Sequence, residues 1–115
     1  MAQIAFNNDG MNLAAQDFTV VDGDTTVYWW VNDTGYSIEV NPGFAAGLTH
    51  DHDIARLVPA GEFSQFTVTN NSGGDLTWGF NLSTSRAMNL HGTAVVGRDG
   101  RPGHRSEIFY LVQDV

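Results

Sequence analysis

The sequence predicts an all-β fold, an antiparallel sandwich or barrel. Three observations carry that reading. Short runs rich in β-branched and aromatic residues recur along the chain, turn signals separate them, and helical periodicity is weak throughout. Thirteen glycines against three prolines suit a chain of short strands and tight turns. With 115 residues, 42% of them hydrophobic, the chain is expected to form one domain, 1–115, with a core that needs no disulfide or structural metal.

The expected strands are Gln3–Phe6, Asp17–Val21, Thr25–Val31, Tyr36–Val40, Glu62–Thr69, Leu76–Phe80, Thr93–Val96 and Glu107–Val112. The breaks between them are Asn8-Asp9-Gly10, Asp22-Gly23-Asp24, Asn70-Asn71-Ser72-Gly73-Gly74 and Arg98-Asp99-Gly100. Thr25–Val31 is apolar on both faces, with Val27, Trp29 and Val31 on one side and Tyr28 and Trp30 on the other. Such a strand is either covered on both sides or turns one face to a ligand or partner. Residues 43–58 read as irregular, with one helical turn at most. No internal repeat or linker is visible. The C-terminal strand, apolar on both faces, must either close the chain's own sheet or pair across subunits, since a bare edge of that kind invites pairing; self-association through it, helped by the basic loop before it, is expected.

The charge is uneven. The net value is −8, with no lysine. Residues 1–85 hold ten acids and one arginine, and residues 86–115 hold four arginines and three acids. The overall sign argues against nucleic acid and against anionic membranes, both of which need a basic face. No apolar run is long enough to span a bilayer, so membrane insertion is not expected. The basic loop 98–105 is expected to be solvated or to dock on an acidic surface of a second subunit. With no secretory signal visible, the compartment is read as cytoplasmic, or as secreted or periplasmic for a mature form. The three Asn-x-Ser/Thr triplets at Asn32, Asn70 and Asn81 are given little weight as glycosylation signals.

Three segments resemble the cupredoxins. Gly23-Asp24-Thr25-Thr26-Val27-Tyr28-Trp29-Trp30-Val31-Asn32-Asp33 is similar to that family's Gly-Asp-x-Val-x-Trp-x-Asn signature. Val58-Pro59-Ala60-Gly61-Glu62-Phe63 is similar to its Pro-Gly turn. Gly74–Phe80 and Leu90–Val96 resemble its last two strands. The resemblance implies a Greek-key β-sandwich with an added C-terminal strand, and it also implies that the type-1 copper site is lost. The ligand positions fall on Tyr36, Phe80 and Leu90, the second histidine has no counterpart, and the chain contains no cysteine to supply the thiolate a blue-copper centre needs.

Other chemistry is sparse. His50-Asp51-His52-Asp53, if extended, puts both imidazoles on one side. With His91 as a third ligand and Met88 as a soft fourth, His50 and His52 would form a metal site suited to copper or zinc; no other cofactor is expected. There is no nucleophile elbow, lysine or phosphate-cradling glycine motif, so the chain reads as non-enzymatic. Trp29, Tyr36 and Trp78 are candidate platforms for a small apolar molecule or a sugar, as in a lectin-like module. The first expectation is a binding or assembly module that forms homo-oligomers. Metal binding through His50, His52 and His91 comes second and carbohydrate binding third.

Overall fold

The computed structural model describes the backbone of residues 2–9, 12–14, 18–84, 89–98 and 104–113, with side chains at 18–84 and 107–111. Eleven strands are described and no helix. They are β1 (Ala2–Asp9), β2 (Asn12–Ala14), β3 (Phe18–Val20), β4 (Thr25–Asn32), β5 (Ile38–Phe44), β6 (Leu48–His50), β7 (Arg56–Val58), β8 (Phe63–Asn70), β9 (Leu76–Thr84), β10 (Asn89–Arg98) and β11 (His104–Gln113). One sheet runs β1-β10-β11-β4-β8-β6. The second runs β2-β9-β5-β7, with β3 also on β9. All pairings are antiparallel except that of β11 with β4. The two sheets share one core of aromatic and branched residues, drawn from β3, β4, β5, β7, β8, β9 and β11.

The period-2 pattern of β4 explains its place. Thr26, Tyr28, Trp30 and Asn32 are buried, while Thr25, Val27, Trp29 and Val31 are half-buried on the opposite face. β8 does the same with Phe66, Val68 and Asn70. Rings then pack in contact: Trp30 lies 4.7 Å from Phe109, 4.6 Å from Phe80 and 5.4 Å from Phe66. Phe80, which the cupredoxin resemblance sets at the thiolate position, is 4% exposed and surrounded by hydrocarbon.

Two expectations need correction. Residues 43–58 hold no helical turn; they continue β5 to Phe44 and then form β6 and β7, strands of three residues each, too short to carry a readable alternation. The C-terminal strand is not left at an edge. β11 lies inside the six-stranded sheet, flanked by β10 and β4, and Phe109 and Leu111 are core residues.

An internal repeat, invisible in composition, is plain in the structure. β3, β4 and the start of β5 recur as β7, β8 and the start of β9, every residue 38 positions on. The same bonds are made twice. Gly61 N–H donates to the Asn32 carbonyl as Gly23 N–H does to that of Asn70, and Asn32 N–H donates to Glu62 as Asn70 N–H does to Asp24. Gly23 and Gly61 take φ of 84° and 74°, left-handed values that a β-carbon resists. The units are related by a pseudo-dyad, because β4 pairs with β8 through Tyr28 opposite Phe66, and β5 with β9 through Pro42 opposite Phe80. The outer strands are exchanged: β7 of the second unit pairs with β5 of the first, and β3 of the first with β9 of the second.

Asn32 and Asn70 fasten the exchange. The Asn32 amide donates to the carbonyls of Tyr36 and Val58, and its oxygen accepts from the Thr34 N–H and hydroxyl. The Asn70 amide donates to Gly74 and Val20, and its oxygen accepts from the Ser72 N–H and hydroxyl. Each therefore holds a carbonyl of the other unit. Both are fully buried, so two of the three Asn-x-Ser/Thr triplets are structural corners rather than glycan acceptors. Asn81, in the third, is exposed.

Candidate functional site

The densest polar chemistry among the described residues lies in the connection from β6 to β7, laid along one side of β8. His50 is exposed and its ring stacks on Phe44 at 3.9 Å. His52 points inward and is only 5% exposed, with its ring edge-on to Phe66 at 4.6 Å. The Trp30 indole N–H donates to His52 Nε2 at 3.0 Å, and His52 Nδ1 donates to the Asp53 carbonyl at 2.7 Å. That pattern assigns the neutral Nδ1–H tautomer, since Nε2 must accept. His50 Nδ1 accepts the His52 backbone N–H at 3.3 Å.

Two further side chains, Asp51 of this connection and Arg56 at the start of β7, reach the backbone of β8. The Asp51 carboxylate accepts the Thr67 N–H at 2.7 Å, and Asp51 N–H donates to the Thr67 carbonyl at 3.4 Å. Arg56 donates to the Gln65 carbonyl at 3.1 Å, to the Ser64 hydroxyl at 3.0 Å and to the Asp51 carbonyl at 3.2 Å. Its Nε also lies 3.6 Å from Asp53. Asp53 is exposed, so this ion pair contributes little.

The expected histidine ligands take different places. His50 and His52 both flank Phe44, as an extended chain implies, but both ring nitrogens of His52 are engaged within the fold. A metal on Nε2 would have to displace the indole. His91 sits on β10 opposite Asn7 and Val112; its side chain, that of Leu90, the whole of Met88 and the loop residues 99–103 lie outside the described residues. Among the described residues no three His, Cys, Asp or Glu side chains converge on a point that would hold an ion.

Burial lowers the pKa of His52 below its ordinary 6.5, because the apolar pocket disfavours the charged ring. The Arg56 and His50 charges act the same way, and the Asp53 carbonyl and carboxylate oppose them. The unfolded chain therefore binds the proton more readily. Stability from this residue is fully present above about pH 6.5 and is lost as pH falls from there through the lower folded value. Urea denaturation at pH 8 and pH 5 is expected to show a drop in wild type that is smaller in His52→Gln, whose amide oxygen can still accept the indole N–H. An unchanged drop would assign the acid sensitivity to other groups.

The three aromatic candidates also separate. Trp78 is core: it is 2% exposed and donates to the Tyr28 hydroxyl at 3.1 Å. Burial, with the Glu107 carboxylate nearby, pushes that hydroxyl's pKa well above the ordinary tyrosine range. Tyr36 is half-buried against the core. Trp29 alone faces outward, 5.5 Å from Phe63 on the neighbouring strand.

Trp29 belongs to a wider surface. Strand registry places Ile108 beside Trp29, Tyr110 beside Val31, and Phe63 beside Val31 on the other side. With Val27, these residues lie on the outer face of the six-stranded sheet where β11, β4 and β8 adjoin; Phe63 is 66% exposed and the rest are half-buried. The remaining described outward residues of β4 and β8 are Thr25, Gln65, Thr67 and Thr69, so the part of this face formed by β4, β8 and residues 107–111 carries no charge. The outer face of the other sheet differs. It presents Thr19, Glu39, Asn41, Leu57, Thr77, Asn81 and Ser83, and a shallow depression of about 300 Å³ bounded by Ser37, Glu39, Leu57, Ser83 and Thr84. Compared with known proteins, the chain matches no family profile, no curated sequence and no solved structure.

Proposed function

We propose that this chain is a non-enzymatic assembly module that self-associates through the outer face of its six-stranded sheet. The observation that carries the reading is the contrast between the two outer faces. One is polar and suited to water; the other exposes Trp29, Val31, Phe63, Ile108 and Tyr110, with no charge among its described residues. Contiguous apolar surface of this kind marks interaction sites, and aromatic residues supply the anchors of most interfaces.

A second copy is the occupant that the charge supports. The chain carries −8, so two copies repel over most of their surfaces. The uncharged stretch on β4, β8 and residues 107–111 is where close approach costs least. Phe63→Glu and Trp29→Glu are expected to weaken association about 30-fold each, the equivalent of ~2 kcal/mol for an aromatic anchor. Sedimentation velocity over a concentration series reads this directly. Wild-type protein that stays monomeric at millimolar concentration would sink the proposal.

A further inference from the structure

We infer that the edge of β8 from Phe63 to Thr67 is a strand-docking site for the same edge of a second copy, held shut by Asp51 and Arg56. The pseudo-dyad supplies the argument. It maps β4 onto β8, so the free side of β8 corresponds to the side of β4 on which β11 lies. On β4 that seat is filled from Thr25 to Asn32 by a strand. On β8, β6 fills only Val68, Thr69 and Asn70. Over the rest, side chains stand where a strand would: the Asp51 carboxylate on Thr67 N–H, beside one long backbone bond from Asp51 N–H to the Thr67 carbonyl, and the Arg56 guanidinium on the Gln65 carbonyl.

Such a cover is exchangeable. Asp51 is exposed and Arg56 partly so, and between them residues 53–55 are all exposed. The backbone groups beneath are those that pair in a ladder. Alternate residues of a strand aim their N–H and C=O to the same side. Thr67 and Gln65 aim at the connection, away from β4.

The occupant follows from the edge itself. Residues Phe63 to Asn70 contain no charge, so two copies of this strand can lie side by side despite the net charge of the chain. β6 stops the open stretch at Thr67, so its centre is Gln65. A two-fold antiparallel pairing about that centre sets Gln65 opposite Gln65 and Phe63 opposite Thr67. The Trp29–Phe63 surfaces of the two copies then join across one continuous sheet. The inference rests on the self-association proposed above and names its geometry and its gate.

The absence of cysteine permits a clean test. Gln65→Cys would place two thiols across the axis at a Cα separation of about 5.5 Å, suited to a disulfide. Under mild oxidation this variant is expected to cross-link at least about tenfold faster than Glu39→Cys, a control on the polar outer face; tenfold corresponds to ~1.4 kcal/mol. Adding Asp51→Ala and Arg56→Ala is expected to speed it by about tenfold again. Gln65→Pro, which removes an edge N–H and spares the β4 ladder, is expected to abolish the gain in association that the two alanines give.

Equal cross-linking of Gln65→Cys and Glu39→Cys, with or without the alanines, overturns the docking site. Should Phe63→Glu still weaken association in that case, the face reading stands and only the edge geometry falls. Dichroism and tryptophan emission of each variant report whether it is folded. If the alanine pair unfolds the protein, Arg56→Lys with Asp51→Asn, which weaken the cover and keep its volume, take its place with the same expected direction.

Discussion

Deleting residues 104–115 is expected to leave no cooperatively folded protein. β11 joins β10 to β4 in the middle of a sheet, so its loss separates β1 and β10 from the rest of that sheet. It also removes Phe109, which is fully buried against Phe18, Tyr28, Trp30, Trp78 and Phe80, together with Leu111. Truncating one such aromatic costs ~3–5 kcal/mol, against a total of about 5–15 kcal/mol for a domain. Losing that ring, its neighbour and both strand ladders exceeds the total. Far-ultraviolet dichroism should show no thermal transition and the amide proton spectrum should collapse. A soluble truncated monomer with a cooperative melt would mean that β11 is dispensable and that the self-pairing expected of it from sequence deserves a return.

The second large effect is at the paired corners. Asn32→Ala removes four hydrogen bonds and takes their Asn32 partner from the Val58 carbonyl and the Thr34 N–H, while the Tyr36 carbonyl keeps the Thr34 hydroxyl. Each buried group left unpaired costs ~1–3 kcal/mol, so a loss of about 3–4 kcal/mol is expected. Asn70→Ala, cutting the equivalent bonds to Val20 and Gly74, should cost the same within about 1 kcal/mol. The sites lie at opposite ends of the β4–β8 pair, about 25 Å apart on strand geometry, so their effects should add. Asn71→Ala, on an exposed residue beside the second corner, should cost almost nothing. Urea titrations of the four proteins settle the comparison. Strongly unequal costs for Asn32 and Asn70 would show that the pseudo-dyad is geometric and not energetic.

The strands were legible because their chemistry is local. β4, β8 and β9 announce themselves by β-branched and aromatic runs between turns, and each is found within a few residues of its expected bounds. Which face is core was less legible. Both faces of β4 are apolar, and only the fold decides that Trp30 is interior and Trp29 is surface. Trp78 could be proposed as a ligand platform for the same reason, yet it shares its face of β9 with buried Phe80 and Leu82. β6 and β7 escaped notice since three residues hold little more than one period of alternation.

The repeat escaped for a different reason. Val20/Val58, Gly23/Gly61, Asn32/Asn70 and Gly35/Gly73 are identical, but Trp29 stands for Thr67 and Trp30 for Val68. The two units share backbone turns and corner bonds while their strand interiors have diverged, so hydropathy does not reveal them. The Trp30–His52 bond joins elements 22 residues apart, and no spacing rule reaches it. The Asp51 and Arg56 contacts with β8 are equally non-local, which is why the His-Asp cluster first suggested a metal.

Exchange of β3 and β7 bears on how the chain reaches this state. Neither three-strand unit can complete its own part of the second sheet, for the strand beside β5 is supplied by the later unit and one beside β9 by the earlier. A nascent first unit has no partner for that edge until the second has emerged. Contacts of such long sequence separation carry their entropy cost before they return any gain, so the search is slow and its halves are obliged to finish together.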